Sequence, residues 1–196
     1  MRREASLRSR GSVYGDDVNL FVTDKNPIRS AMALDDKRVG KMLMECNQMM
    51  SLAIKLNTPE NDWNHCVGPG MLTNGFAHKN HPVSIWVRAS QQNFFWTLEH
   101  ARALGSEFSH RFNKEHGSSE RTNFFWMQLE TTISCLPDVG MLPFQNSARH
   151  NGLRLDFTHE DPPFSYRQYL NTRWDGDIRP PKWTNREPPL WRASSL

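Results

Sequence analysis

From residue 28 to residue 56, apolar side chains return every three or four positions: Ile28, Ala31, Met32, Val39, Met42, Leu43, Cys46, Met50, Ala53 and Ile54. That is the period of a helix with one buried face. Asp24, Lys25, Asn26 and Pro27 supply turn chemistry ahead of it, with Pro27 suited to the first helical position. The stretch is long enough that a break is expected near 33–36. Asp35 falls on the apolar stripe and Asp36 beside it, and a carboxylate placed there needs a partner or a purpose.

The same reading extends along the chain. A short apolar run at 18–22 is expected as a small strand or an extended segment packed on the core. Residues 57–80 read as loop, with Asn, Pro and Gly throughout and VGPG at 67–70. Pro82 opens a second helical region running to about Phe112, within which Ser90 or Asn93 is placed to cap a further helix. A third helix is expected over 118–135, and a short amphipathic one over 163–174. Residues 136–162 read as irregular. The tail RPPKWTNREPPLWRASSL is rich in Pro and carries two Trp, so it is expected as an extended strap. No internal repeat, heptad or alternating βα pattern is present. The expected class is all-α: a compact single-domain helical bundle over 18–196, with a short extended N-terminal segment and a Pro/Trp-rich C-terminal strap. Residues 1–17 are expected as a flexible basic arm.

Composition adds a few constraints. The chain has 196 residues, enough for one domain with a real core, and seven of its residues are Trp. Trp serves as packing bulk and also stacks on flat ligands such as bases. The net charge is +3 and the pI about 8.9, compatible with a nucleic-acid partner without requiring one. Three cysteines, Cys46, Cys66 and Cys135, with no CxxC pair, fit neither a disulfide framework nor a metal finger, and point to a reducing compartment. No apolar run approaches the roughly 18 residues that span a bilayer, so no membrane partner is expected. The Arg- and Ser-rich start lacks the hydrophobic stretch of a secretory signal.

Four constellations are candidates for chemistry. In LDDKRVGKMLMECNQ, 34–48, Arg38, Lys41, Glu45 and Gln48 make one polar stripe opposite the Val39/Leu43/Cys46 face. A carboxylate between cations suits acid–base work or Schiff-base chemistry at a lysine, and is equally the pattern of a solvated face with ordinary ion pairs. In GFAHKNHPVSIW, 75–86, His78 and His81 precede a helix start, where an anion such as phosphate is favoured; the alternative is a loop whose imidazoles satisfy backbone groups. Glu107 and His110 have ExxH spacing, but a bundle di-metal site needs two such motifs and only one is present, so no metal and no cofactor are expected. Finally, Trp174, Arg179, Lys182, Trp183, Arg186, Trp191 and Arg192 interleave rings with cations, as suits base stacking and phosphate contact, or equally a strap whose rings dock into the core. Phosphate-loop, GxGxxG, GxSxG and HExxH signatures are absent.

The run NLFVTDKNP, then LDDKRVGKM with Glu45 and Gln48, then H-x-x-HP-x-x-x-W and a late PKW, resembles a family of small proteins of tailed bacteriophages over roughly 18–192. The helix with its late Glu, the GF-x-x-x-HP-x-x-x-W segment and the PxW tail are also similar to the pyrimidine-dimer DNA glycosylases of the endonuclease V type. That resemblance implies a small helical protein acting on DNA in the cytoplasm of an infected bacterial host. It implies a flipped nucleotide, an amine attacking the sugar C1′, and a helix Glu in the lyase step. Carried over, Glu45 matches the helix Glu, with Asp36 at the helix start, and His78, His81 and Trp86 carry the second motif. The family's N-terminal amine has no direct counterpart behind a seventeen-residue arm, and Lys41, or less readily Lys37, takes its place as the amine. Arg38, His78 and His81 are then expected to hold phosphate, and Trp86, Lys182 and Trp183 to contact the base or backbone. A pyrimidine-modifying transferase and a non-catalytic binding protein are the alternatives. The observation that would most sharpen this reading is whether Asp36, Glu45, His78 and His81 converge on one pocket, since direct acid–base contacts need hydrogen-bond reach.

Overall fold

The computed structural model describes residues 19–67, 72 and 78–193; the arm expected over 1–17 and loop residues 68–71 and 73–77 lie outside the described residues. The described residues form an all-α structure of nine helices with one two-stranded ribbon.

Residues 19–23 form no strand. They lie irregular against the core, and Phe21 takes a left-handed φ of 47°. That conformation is uncommon for a bulky side chain. It is held by the Asn19 carboxamide oxygen, which accepts from the Leu20 and Phe21 amides, and by the Phe21 ring lying against Tyr166 and Tyr169.

Helix α1, Pro27–Met32, starts as expected, with Asn26 accepting from the Ile28 and Arg29 amides ahead of Pro27. The expected break follows at 33–35, and α2, Asp36–Asn57, carries the polar stripe. The Asp35 side chain makes no capping bond, and the first amide of α2 is satisfied from far along the chain: Asp36 N–H donates to the Lys182 carbonyl at 2.8 Å. This answers the shortage of partners at any helix start.

The segment after α2 holds a short helix that the loop-like composition hides, α3, Trp63–Val67. Its Trp63 indole donates to the Thr58 carbonyl, and Lys55 sits over the ring. Helices α4, Pro82–Arg88, and α5, Gln91–Phe112, meet at Ser90, whose hydroxyl caps α5. Asn93 instead ties loop to helix: its side chain donates to the Trp86 carbonyl and accepts from the Leu142 amide. Asn113, left-handed at φ 50°, ends α5.

The single helix expected over 118–135 is two, α6, Ser119–Met127, and α7, Leu129–Ser134, with a break at Gln128. The redirection brings the Thr132 hydroxyl within 2.8 Å of the Cys66 carbonyl on α3. The irregular region then contains a two-residue antiparallel pair, β1, Arg149–His150, with β2, Leu155–Asp156. Helix α8, Pro162–Gly176, and the short α9, Leu190–Ala193, bracket the strap.

Helix α2 packs along α5, with α1 and α4 beside them. The shared core joins Leu20, Leu34, Val39, Leu43, Met50 and Ile54 to Phe94, Leu98, Leu104 and Phe125, and α8 closes it with Tyr166, Leu170 and Trp174. None of the described helices is long and apolar enough to cross a membrane.

Candidate functional site

Helical periodicity puts Lys37, Lys41 and Glu45 on one line of α2, each one turn beyond the last. Glu45 is only 5% exposed although it is charged. Two nitrogens face its carboxylate: the Lys41 Nζ, 3.4 Å from Oε1, and the Asn19 main-chain N–H, which donates to Oε2 at 3.1 Å. Lys41 is the more open partner, with 43% of its side chain exposed. Asn19 is fixed in turn, because its Nδ2 reaches the Ser147 carbonyl at 3.4 Å and its Oδ1 holds the following amides. Thus the irregular 19–23 segment, α2 and the loop before β1 meet at one carboxylate. Beside it, burial and the Glu45 charge push the Cys46 thiol far above its ordinary range, so this cysteine is no nucleophile.

The other expected residues make contacts of their own. Asp36 begins α2, nine residues before Glu45, or about 13 Å along the axis. Its carboxylate accepts from Arg111 Nη1 at 3.2 Å and from the Thr184 amide and hydroxyl. Arg38 is buried, bonded to Asp35 at 2.8 Å and to Asp177 at 3.4 Å, with its guanidinium over the Trp174 ring. The buried Asp35 also accepts from the Trp174 indole at 3.0 Å, which supplies the partner that an acid on an apolar stripe requires. Trp86 packs in the core against Trp96 and Phe144. His81 is the N-cap of α4, its imidazole accepting from the Val83 amide, and His78 sits exposed in the preceding turn at φ 60°. Trp183 docks on Trp174 and donates to the Ala33 carbonyl, while Lys182 is exposed at the head of α2.

Glu107 of the ExxH pair accepts from Arg111 and takes a two-pronged contact from Arg186 at 2.6 Å, and His110 bonds the Asn185 carbonyl. No group of His, Cys, Asp or Glu suited to a metal is found among the described residues.

The chain matches no family model, no curated protein and no solved structure.

The carboxylate and the amine one turn before it stand 3.4 Å apart, so a small side-chain movement brings them within proton-transfer reach. The sequence picks out both by their spacing. Asn19 was missed, since a main-chain donor leaves no mark on a hydrophobicity pattern. A cavity of about 490 Å³ lies elsewhere, on the outer side of α5 between Ile28 and Asn123, and does not include Glu45 or Lys41.

Proposed function

We propose that the protein acts on DNA as a glycosylase/lyase for a damaged or modified pyrimidine, with Lys41 as the amine and Glu45 as the acid–base group. The buried Glu45 carboxylate in contact with the exposed Lys41 amine is the observation that carries this reading. The exposed Lys182, Lys37 and Lys41 mark out a cationic approach along the first turns of α2 toward that carboxylate, suited to a phosphate backbone. In this mechanism Glu45 receives the proton that Lys41 gives up. The Lys41 nitrogen then bonds to C1′ as the C1′–base bond breaks, and the base leaves with that electron pair and picks up a proton. Glu45 supplies that proton and is ionised again. The C1′–O4′ bond then opens as O4′ takes up the proton released by the nitrogen, giving an imine, after which a C2′ proton passes to Glu45 and the 3′-phosphate departs by elimination. Asp36, Arg38, Trp86 and Trp183 serve the framework that presents α2.

The test is incubation with duplexes carrying pyrimidine lesions or phage-type modified pyrimidines, followed by borohydride trapping. A covalent adduct on the Lys41 peptide is expected. Glu45→Gln and Lys41→Ala, each folded by circular dichroism, should lower adduct formation about 100-fold or more. A variant beginning at Asn19 separates two amines, because it sets a free α-amine where the Asn19 N–H now meets Glu45. An adduct at that residue alone would move the nucleophile from Lys41 to the main chain. Absence of both base release and adduct across the substrate panel sinks the proposal.

A further inference from the structure

Cys66 lies on α3 and Cys135 directly follows α7, 69 residues apart in sequence, and their sulfurs are 2.8 Å from one another. Both are free thiols. At 2.8 Å the sulfurs are within about 0.8 Å of a disulfide's length of about 2.05 Å, so a bond between them needs little movement. The surroundings hold the pair in place. The Thr132 hydroxyl clips α7 to the Cys66 carbonyl, the Cys135 thiol reaches the Thr131 carbonyl, and the Cys66 thiol faces the Thr58 hydroxyl. Access is unequal: Cys66 is 2% exposed while Cys135 is half-buried, so an external reagent meets Cys135 first.

We propose that Cys66 and Cys135 form a reversible modification site, a single intramolecular disulfide joining α3 to α7. A small-molecule disulfide such as oxidised glutathione is the oxidant. The Cys135 thiolate, having lost its proton to solvent, attacks one glutathione sulfur; the new S–S bond forms as the glutathione bond breaks and releases one glutathione thiolate. The Cys66 thiolate then attacks the Cys135 sulfur and expels the glutathione attached there, giving the protein disulfide and two reduced glutathiones overall. Burial and the neighbouring Cys135 thiol raise the Cys66 thiol to about 11, so the second step needs the mixed disulfide already in place beside it. Cys46, fully enclosed, takes no part. The bond would fix the helix that precedes His78 and His81 in the chain.

The experiment treats the full native chain with oxidised glutathione at pH 8. Titratable thiols should fall from three to one, the intact mass should drop by two hydrogens with no glutathione retained, and a Cys66–Cys135 peptide should appear on non-reducing digestion. The oxidised protein should melt at least about 4 °C higher, and dithiothreitol should reverse the shift. In Cys66→Ser the product should instead stop at a glutathione adduct on Cys135. The proposal is overturned if native protein retains three thiols, if wild type accumulates only glutathione adducts, or if the link forms only in denaturant.

Discussion

Arg111 is among the largest fully buried side chains of the described residues, and it ties together several segments of the fold. It donates to the Leu34 and Met32 carbonyls, to Asp36 and to Glu107, so a single guanidinium satisfies the end of α1, the start of α2 and an acid on its own helix. Its planar fork of donors suits this task in a way that Lys does not. Arg111→Leu keeps comparable bulk but removes one donor from Asp36 and from Glu107 and takes this donor from the Met32 and Leu34 carbonyls. The expected cost is about 3–5 kcal/mol, read as a fall in the urea midpoint at neutral pH with unchanged slope. A loss below 1 kcal/mol would mean the network relaxes around the gap. At this scale the sequence was informative about Asp35, whose acid on an apolar face demanded a partner. It was silent about Arg111, because an Arg near the end of a helix reads as an ordinary surface cation until the fold encloses it.

The strap between α8 and α9 behaves as a structural element although it has no regular hydrogen-bond ladder. Lys182 caps α2 with its carbonyl, Trp183 donates to Ala33, Thr184 holds Asp36, and Arg186 grips Glu107 with both prongs. Arg186→Ala should loosen it while the rest of the protein stays folded. We expect faster cleavage by trypsin at Lys182 and a loss of about 1–3 kcal/mol, reflecting one charge-assisted pair that is only partly buried. Equal cleavage rates would show that the Trp183 and Thr184 contacts suffice. The strap form of the tail was readable from its Pro content and the α1–α2 break from the length of the apolar pattern, while Ser90 was one of two candidates, with Asn93, for the cap of α5. The α6–α7 break and α3 were not readable. Tertiary contacts such as Thr132 with Cys66 set them, and no local propensity records such contacts.

For the whole molecule, acid should act through a core imidazole. Burial pushes His100 down to about 4, against the ordinary 6.5, while its Nδ1 stays bonded to the Pro27 carbonyl. The unfolded chain therefore takes up this proton between pH 6.5 and 4 and the folded chain does not. Stability from this source is complete above about 6.5, falls as pH drops, and levels off below 4, for a loss on the order of 3 kcal/mol. His116, also depressed by burial, works in the same direction. Urea midpoints of wild type and His100→Gln across pH 4–7.5 check this, the slope being shallower in the variant if His100 is responsible. That α2 and α5 each bury one face was legible from periodicity alone, but their pairing and the meeting of Asn19 with Glu45 were not, since these depend on distant segments closing together. The clasp at Asp36 has a further consequence for biosynthesis. Thr184 and Asp36 stand 148 residues apart, so the helix that carries Lys41 and Glu45 leaves the ribosome well before the residues that close its first turn. Any translation product stopped before residue 182 would hold an unfinished α2, and premature termination should yield proteolytic fragments rather than a working smaller protein.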